Sequence, residues 1–327
     1  MSKNKIAGKV KVCVIGVGHM GEYHVQKYKS NSGVDLVGVV DVNMERAREI
    51  GKKYDVEVFE NYMDLLKLVD AASLAVTTEK HFDMAVEVLN SGVHLLIEKP
   101  ITYDLESADA ILKAAEKNNL ILHVGLVERF NPAVVRLSSL LNQPLFIETH
   151  RMNKFTERGT DVDVVLDLMI HDLDIVLHLV PSEVKEIHSV GMCVITNKTD
   201  IANVRIIFEN GAVANLTASR IAEKTLRKIR VFQPDAYLHA NCYRKEFSMT
   251  RLNEGAEDRI NLAKLKTENV KFENSDPLGD QINHFVSSVR EGKKTSLIER
   301  DERKALKLAL CVIEQIQKEC RTFLPVD

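Results

Sequence analysis

The chain has 327 residues, enough to bury a substantial core and to form two domains. A hydrophobic fraction of 45%, a charged fraction of 28% and a net charge of −3 fit a globular protein with no pull toward nucleic acid or anionic membranes. The start carries no signal-peptide pattern, no apolar run reaches the ~18 residues of a membrane span, and the five cysteines form no C-x-x-C pair, so a cytoplasmic protein with reduced, mostly buried thiols and no metal is expected.

In the first 125 residues, near-continuous apolar runs alternate with amphipathic ones, as in a parallel sheet covered on both faces. Strand Val10–Ile15 ends in Gly16-Val17-Gly18-His19-Met20-Gly21, which opens a helix over His19–Lys29. That is the context in which G-x-G-x-x-G binds a dinucleotide. Gly16 permits the tight turn, Gly18 admits the pyrophosphate, and Gly21 lets helix and strand pack closely. The first-turn N–H groups of His19, Met20 and Gly21 face the phosphates. Strand Val34–Val40 delivers Asp41, 20 residues beyond Gly21, where a carboxylate accepts from ribose hydroxyls. A 2′-phosphate there would meet like charge, at ~4 kcal/mol per pair at 4 Å and an effective dielectric of 20 before screening, so the cofactor is NAD. No arginine follows at once; Arg46 comes a helical turn later.

A helix is expected over Met44–Tyr54 and a strand over Ala72–Val76. Thr77-Thr78-Glu79-Lys80-His81 then sits at a carboxyl strand end, so Thr77, Thr78 and His81 are cofactor candidates, although Thr78 also reads as a helix cap. Helix His81–Asn90 and strand Val93–Ile97 lead to Glu98-Lys99-Pro100. Lys99 lies where the nicotinamide should rest, and its ammonium can stabilise a developing alkoxide; the plainer reading is a solvated lysine. Glu98 can orient Lys99 or bind the cofactor ribose. Helix Leu105–Lys117 and strand Leu120–Val124 complete a doubly wound Rossmann domain, residues 1–125.

Asn131-Pro132 reads as a cap and first helical residue. From Phe146 on, the runs Phe146–Met152, Val184–Ile195, Val204–Phe208, Ala212–Ala218, Leu226–Phe232 and Ala236–Cys242 follow one another mostly without helices. They predict an α+β domain over 126–327 with a large, mostly antiparallel open sheet. Arg251–Asp276 reads as loop and short strands, and helices Leu278–Arg290 and Arg300–Lys318 close the chain, free to pack back on the first domain. The basic runs at Arg227–Arg230 and Arg300–Arg303 read as solvated faces.

One helix, Asp163–Leu179, interrupts these strands. Its Asp163, Asp167, His171, Asp174 and His178 fall within a wedge of roughly 80°, on an otherwise apolar helix. A narrow polar stripe on a buried helix lines a cleft. Asp167 and His171 stand at i and i+4, so the carboxylate can fix the imidazole tautomer and raise its basicity, making His171 a general base. Asp172 points to the opposite side.

These pieces resemble the family of glucose-fructose oxidoreductase, inositol dehydrogenase and the rhizopine catabolism proteins. The resemblance rests on Gly16–Gly21, Asp41, Thr77–His81, Glu98-Lys99-Pro100 and Asp167-x-x-x-His171. It implies that Lys99 and His171 flank the substrate carbon, with Asp167 in support, while hydride passes to or from NAD. It also implies a homodimer or homotetramer formed through the open sheet. The stretches Val127–Ala133 and Val164–Asp174 are similar to one branch, the UDP-N-acetylglucosamine 3-dehydrogenases that precede an aminotransferase in making diamino-sugar lipid A. Under that resemblance Arg129 and Asn131 touch the substrate. Arg151, Lys154 and Arg158 are placed to contact a diphosphate, against the plainer reading of a solvated loop. Two rivals stand beside it: a dehydrogenase of a free polyol or monosaccharide such as inositol, and a silent NAD-binding sensor. Lys99 and His171 argue against the sensor.

Overall fold

The computed structural model describes residues 6–156, 162–252, 265–293 and 296–323. The chain divides into two compact units, one running through Val127 and taking in Asp276–Arg303, the other formed by Glu128–Ser275 and the chain from Lys304.

The first unit is built on six parallel strands: β1 (Val10–Ile15), β2 (Val34–Val40), β3 (Glu57–Val58), β4 (Ala71–Leu74), β5 (His94–Ile97) and β6 (Leu122–Val124). Their order, β3-β2-β1-β4-β5-β6, reverses between β1 and β4, the switch point at which open α/β sheets bind ligands. The crossover helices are α1 (His19–Ser30), α2 (Met44–Tyr54), α3 (Tyr62–Leu66), α4 (His81–Asn90) and α5 (Leu105–Lys117). Strands β1, β4 and β5 read as almost unbroken apolar runs because helices bury both of their faces. The expected strand Ala72–Val76 is shifted, since Ala75 and Val76 leave the sheet part-exposed. Two elements, β3 and α3, went unpredicted; at two and five residues they are too short to show a period.

After Asp276 the chain returns to this unit as the helix Pro277–Glu291, α8 in chain order. Its Ile282, Phe285, Val286 and Val289 join Val10, Val12 and Val34 in one core, and Gln281 Nε2 donates to the Val124 carbonyl at 3.1 Å.

The second unit begins with α6 (Pro132–Ser139) and β7 (Phe146–Met152). A wide helical turn over Val165–Met169, closed by Ile170 N–H donating to the Val165 carbonyl, leads into α7 (Ile170–Leu179). Seven more strands follow: β8 (Val184–Met192), β9 (Ile201–Phe208), β10 (Val213–Ser219), β11 (Leu226–Gln233), β12 (Ala236–Asn241), β13 (Glu246–Leu252) and β14 (Leu265–Lys271). They form one sheet in the order β14-β13-β12-β11-β7-β10-β9-β8, antiparallel except for β7 with β10. The last helix, α9, spans Ser296–Phe323. In β9 and β10 every second residue is buried. On the other face Phe146, Phe232 and Tyr237 line up at ring distances of 5.5 and 5.0 Å, with Phe232 38% exposed.

Two sequence expectations change here. The strand expected over Val184–Ile195 stops at Met192, because Asp200 Oδ2 accepts from the N–H groups of Val194, Ile195 and Thr196 and folds them into a turn. Glu246–Leu252 was not foreseen as a strand, yet it pairs with β12 along its length. Of the cysteines in the described residues, Cys13 and Cys242 are buried, but Cys193 and Cys311 are exposed. No helix among the described residues is long and apolar enough to cross a membrane, and none of their His, Cys, Asp and Glu side chains cluster in threes to hold a metal.

Candidate active site

In the first unit the candidates gather at the carboxyl ends of β1, β2, β4 and β5. The glycine-rich turn has a shape that only glycine permits. Gly16 has φ +84°, and a Cβ on it would lie 2.7 Å from the Ala75 carbonyl oxygen. A Cβ on Gly21 would lie 1.8 Å from the Gly16 oxygen, so α1 could not approach β1. A Cβ on Gly18 would meet nothing within 4 Å; here the glycine keeps space open. Gly18 is also the N-cap of α1, and no side chain caps that helix end. Open space in front of an uncapped, 12-residue helix N-terminus fits a pyrophosphate.

Asp41 is held in place by two amides: Val17 N–H donates to Oδ2 at 2.7 Å and Asn43 N–H to Oδ1 at 2.8 Å. Beside it Val42 is fully exposed, an apolar surface suited to an adenine ring. Arg46 is committed elsewhere. Its Nε donates to the Val17 carbonyl at 3.0 Å, Nη1 to Glu49 at 2.8 Å, and Nη2 to Glu22. The Lys53 hydrogen bond, with Arg46 and Tyr54 adding to it, outweighs burial and pulls the Glu22 carboxyl down to about 2. Arg46 is thus a brace for the glycine turn, already neutralised, and not a receptor for a 2′-phosphate.

Thr77 is exposed and Thr78 part-exposed; Thr78 starts a short helical turn that no side chain caps, so the capping reading of Thr78 does not hold. His81 is corrected from a cofactor contact to a tie. It is 1% exposed, its Nδ1 lies 2.9 Å from the Pro100 carbonyl and its Nε2 3.2 Å from that of Val76. Burial pushes its pKa down, so the ring is a neutral strut between the two loops. Glu98 is likewise buried, with Oε1 3.0 Å from His24 Nε2. Burial raises its carboxyl, but the hydrogen bond and charge of His24 outweigh that and hold it below its ordinary value. Lys99 is part-exposed at the strand end.

In the second unit Asp167 lies in the wide turn and His171 in the first turn of α7, both part-exposed among buried neighbours. Wide turns of this kind concentrate at functional sites. Because such a turn holds more residues than an α-turn, the 80° wedge projected at 100° per residue does not carry across it. Asp163 accepts from Thr199 N–H at 3.0 Å. Asp174 is buried and takes a two-pronged pair from Arg129, at 2.7 and 2.5 Å. His178 is exposed and lines, with Arg129, Val134 and Ser138, a cavity of about 250 Å³.

Two expected substrate contacts are corrected. Arg151 is 2% exposed, with Nη1 on Glu128 at 2.8 Å and Nε and Nη2 on Asp172 Oδ1 at 3.1 and 2.8 Å. Burial alone would lower its pKa; Asp172 and Glu128 outweigh it and raise it. Asp172 itself is pushed up by burial. Asn131 is also consumed internally, since its side chain caps α6 at Ala133 N–H and donates to Glu128 and to the Cys242 carbonyl. Lys154 is exposed, and Arg158 lies outside the described residues.

Comparison with known proteins identifies the family. Residues 10–126 match the family described as an oxidoreductase family with an NAD-binding Rossmann fold, and residues 133–238 match the GFO/IDH/MocA C-terminal domain. The chain belongs to the GFO/IDH/MocA family. It is therefore an NAD-binding oxidoreductase. It is 36% identical over 277 residues to a UDP-N-acetylglucosamine 3-dehydrogenase of Acidithiobacillus ferrooxidans, covering 84% of this chain and 87% of that one. A solved structure of that dehydrogenase superposes with a TM-score of 0.88 at 34% identity, covering 95% and 99% of the two chains. A myo-inositol 2-dehydrogenase of Thermotoga maritima is 23% identical over 95% of this chain and 97% of its own.

Proposed function

We propose that this enzyme oxidises the C3 hydroxyl of UDP-N-acetylglucosamine to a ketone. The observation that carries the reading is the 36% identity to a dehydrogenase of that name across most of both chains. The chain also keeps a lysine at the end of β5 and a histidine in the first turn of α7.

His171 takes the hydroxyl proton, with Asp167 in support, and the oxygen electrons form the carbonyl as hydride leaves C3. NAD, held by the Gly16–Gly21 turn and Asp41, would supply the hydride acceptor. Lys99 stabilises the alkoxide as its charge develops. The Gly18 opening and the α1 N-terminus, with His19 and Met20 in its first turn, receive the pyrophosphate. Asp41 takes the adenosine ribose, and Thr77 and Thr78 border the cofactor. Of the three cations assigned to the diphosphate, Lys154 is the described one left to it; Arg129 borders the sugar from its pair with Asp174.

The oxidation is uphill near neutral pH, so an aminotransferase that consumes the ketone is the expected metabolic partner, in the cytoplasm, on the route to a diamino-sugar lipid A. The uncovered face of the second unit's sheet is proposed to pair with a second copy. A polyol reading is kept because of the inositol dehydrogenase relative.

The test is NADH formation with UDP-N-acetylglucosamine, free N-acetylglucosamine and myo-inositol, each with an aminotransferase and glutamate to draw off the ketone. Remote uridine-diphosphate binding positions C3, so the nucleotide sugar should far exceed both free compounds. Equal rates on a free compound would favour the polyol reading.

A further inference from the structure

Beneath the Glu98-Lys99 strand end lies a buried polar chain that the proposed chemistry does not use. Tyr28 and His24, one turn apart on α1, meet Ser73 of β4, and His24 continues to Glu98. Tyr28 Oη is 2.8 Å from Ser73 Oγ, Ser73 Oγ is 3.0 Å from His24 Nδ1, and His24 Nε2 is 3.0 Å from Glu98 Oε1. All four side chains are buried. Ser73 Oγ bridges the Tyr28 hydroxyl and His24 Nδ1, and at the other end of the ring Nε2–H donates to the Glu98 carboxylate. That last link requires an ionised Glu98, which His24 and its hydrogen bond favour.

The carboxylate is confined from a second side. A Cβ on Gly125 would lie 2.8 Å from Glu98 Oε2 and 2.9 Å from Oε1. Gly125 is itself pinned, its N–H donating to the Ile97 carbonyl at 2.8 Å, while Glu98 N–H donates to the Leu74 carbonyl at 3.0 Å. One side of the carboxylate is therefore held by a hydrogen bond and another by a gap only glycine leaves. The next residue is Lys99.

We propose that His24 is a positioning residue for Lys99: it fixes the ionised Glu98 against Gly125 and thereby sets the backbone and local field from which Lys99 acts. The proposal rests on the reading of Lys99 given above. Among the described residues, the ionisable groups that act most on Glu98 are His24 from α1, its own neighbour Lys99 and His81 from α4. With His24 gone, burial, which raises the Glu98 carboxyl, loses its largest opponent, and the balance moves toward the protonated form.

The full-length enzyme is tested with UDP-N-acetylglucosamine and NAD. His24→Leu removes the donor, His24→Gln restores an N–H near the Nε2 position, and Gly125→Ala crowds the carboxylate without removing a partner. His24→Leu should lower kcat at pH 7 by about 10- to 100-fold, the range for a misplaced catalytic group, and leave NAD affinity near wild type. Its kcat should recover as pH rises through the raised Glu98 pKa, and His24→Gln should regain most of the turnover. Infrared difference spectra should show a protonated carboxyl band in His24→Leu that vanishes in His24→Leu/Glu98→Gln, a readout independent of turnover. If His24→Leu does not fold, Gly125→Ala must show the same loss of kcat. A folded His24→Leu with wild-type kcat and pH profile and no carboxyl band overturns the proposal. Lys99→Met separates the two claims: full turnover in that variant overturns the role of Lys99, while the infrared band still judges whether His24 holds Glu98 ionised.

Discussion

Arg151→Met distinguishes a buried structural arginine from a ligand contact. In the wild type its guanidinium makes three charge-assisted hydrogen bonds to Glu128 and Asp172 at 2.8 to 3.1 Å. The three side chains are 3%, 8% and 3% exposed, so water does not replace a lost partner. Removing Arg151 leaves two carboxylates in the interior without their central cation, with Asn131 still donating to Glu128 at 3.1 Å and Arg227 3.6 Å from it. Breaking such a pair costs about 3–5 kcal/mol. The loss should depend on pH in a defined direction. Without Arg151 both carboxyls have folded pKa values above their unfolded ones, so the native state binds more protons near neutrality and stability falls as pH rises. Each group contributes up to ~1.4 kcal/mol per pH unit in that window. Urea unfolding at pH 7 and pH 5 should show a deficit that shrinks at the lower pH. Arg151→Met/Glu128→Gln/Asp172→Asn should recover much of the stability, since no buried charge is left alone. A loss below about 1 kcal/mol at both pH values, with a weakened affinity for UDP-N-acetylglucosamine, would refute the reasoning and return Arg151 to the substrate.

Other outcomes follow from the same geometry. Calorimetry should find NAD bound more tightly than NADP; Asp41→Ala should narrow the gap, and adding Glu22→Gln, which frees Arg46 from one partner, should narrow it further, whereas equal wild-type affinities would contradict the Asp41 assignment. Lys99→Met and His171→Ala should each lower kcat by about 100-fold or more while NAD still binds, as for loss of an electrostatic or acid–base group; normal turnover of His171→Ala at pH 7 would reduce the α7 stripe to a surface. Burial, with His284 stacked at 5.2 Å, pushes His123 down to about 3. Its folded pKa lies below its unfolded one, so the unfolded chain takes the proton first and stability is lost as pH falls from ~6.5 toward 3, by up to ~1.4 kcal/mol per unit. His123→Gln should flatten that acid limb in urea titrations, and an unchanged slope would contradict the burial of a neutral His123.

Much of the first unit was legible because its signals are local. An apolar strand, a glycine turn whose shape excludes a Cβ, and an acid 20 residues on all act within one β-α-β segment. The His24–Glu98 pair was not legible, because nothing local marks a histidine on α1 as facing a carboxylate 74 residues away. The misassignment of Arg151 had a readable warning. Ile147, Thr149 and Arg151 alternate along β7 and share its buried face, so the strand period already pointed the arginine inward. Asp172 was set aside for pointing away from His171, and that opposite side is where Arg151 lies. The wide turn at Val165–Met169 left no trace in composition, and a projection at a fixed helical angle passed straight over it.

The most direct test of the proposed activity follows the hydride. UDP-N-acetylglucosamine carrying deuterium at C3 is incubated with enzyme, unlabelled NAD, an aminotransferase and glutamate, and the reduced cofactor and sugar are weighed by mass spectrometry. The account predicts one deuterium on the reduced nicotinamide and a 3-amino sugar that has lost it. Reduced cofactor without deuterium, or a sugar product that keeps the label at C3, would contradict it.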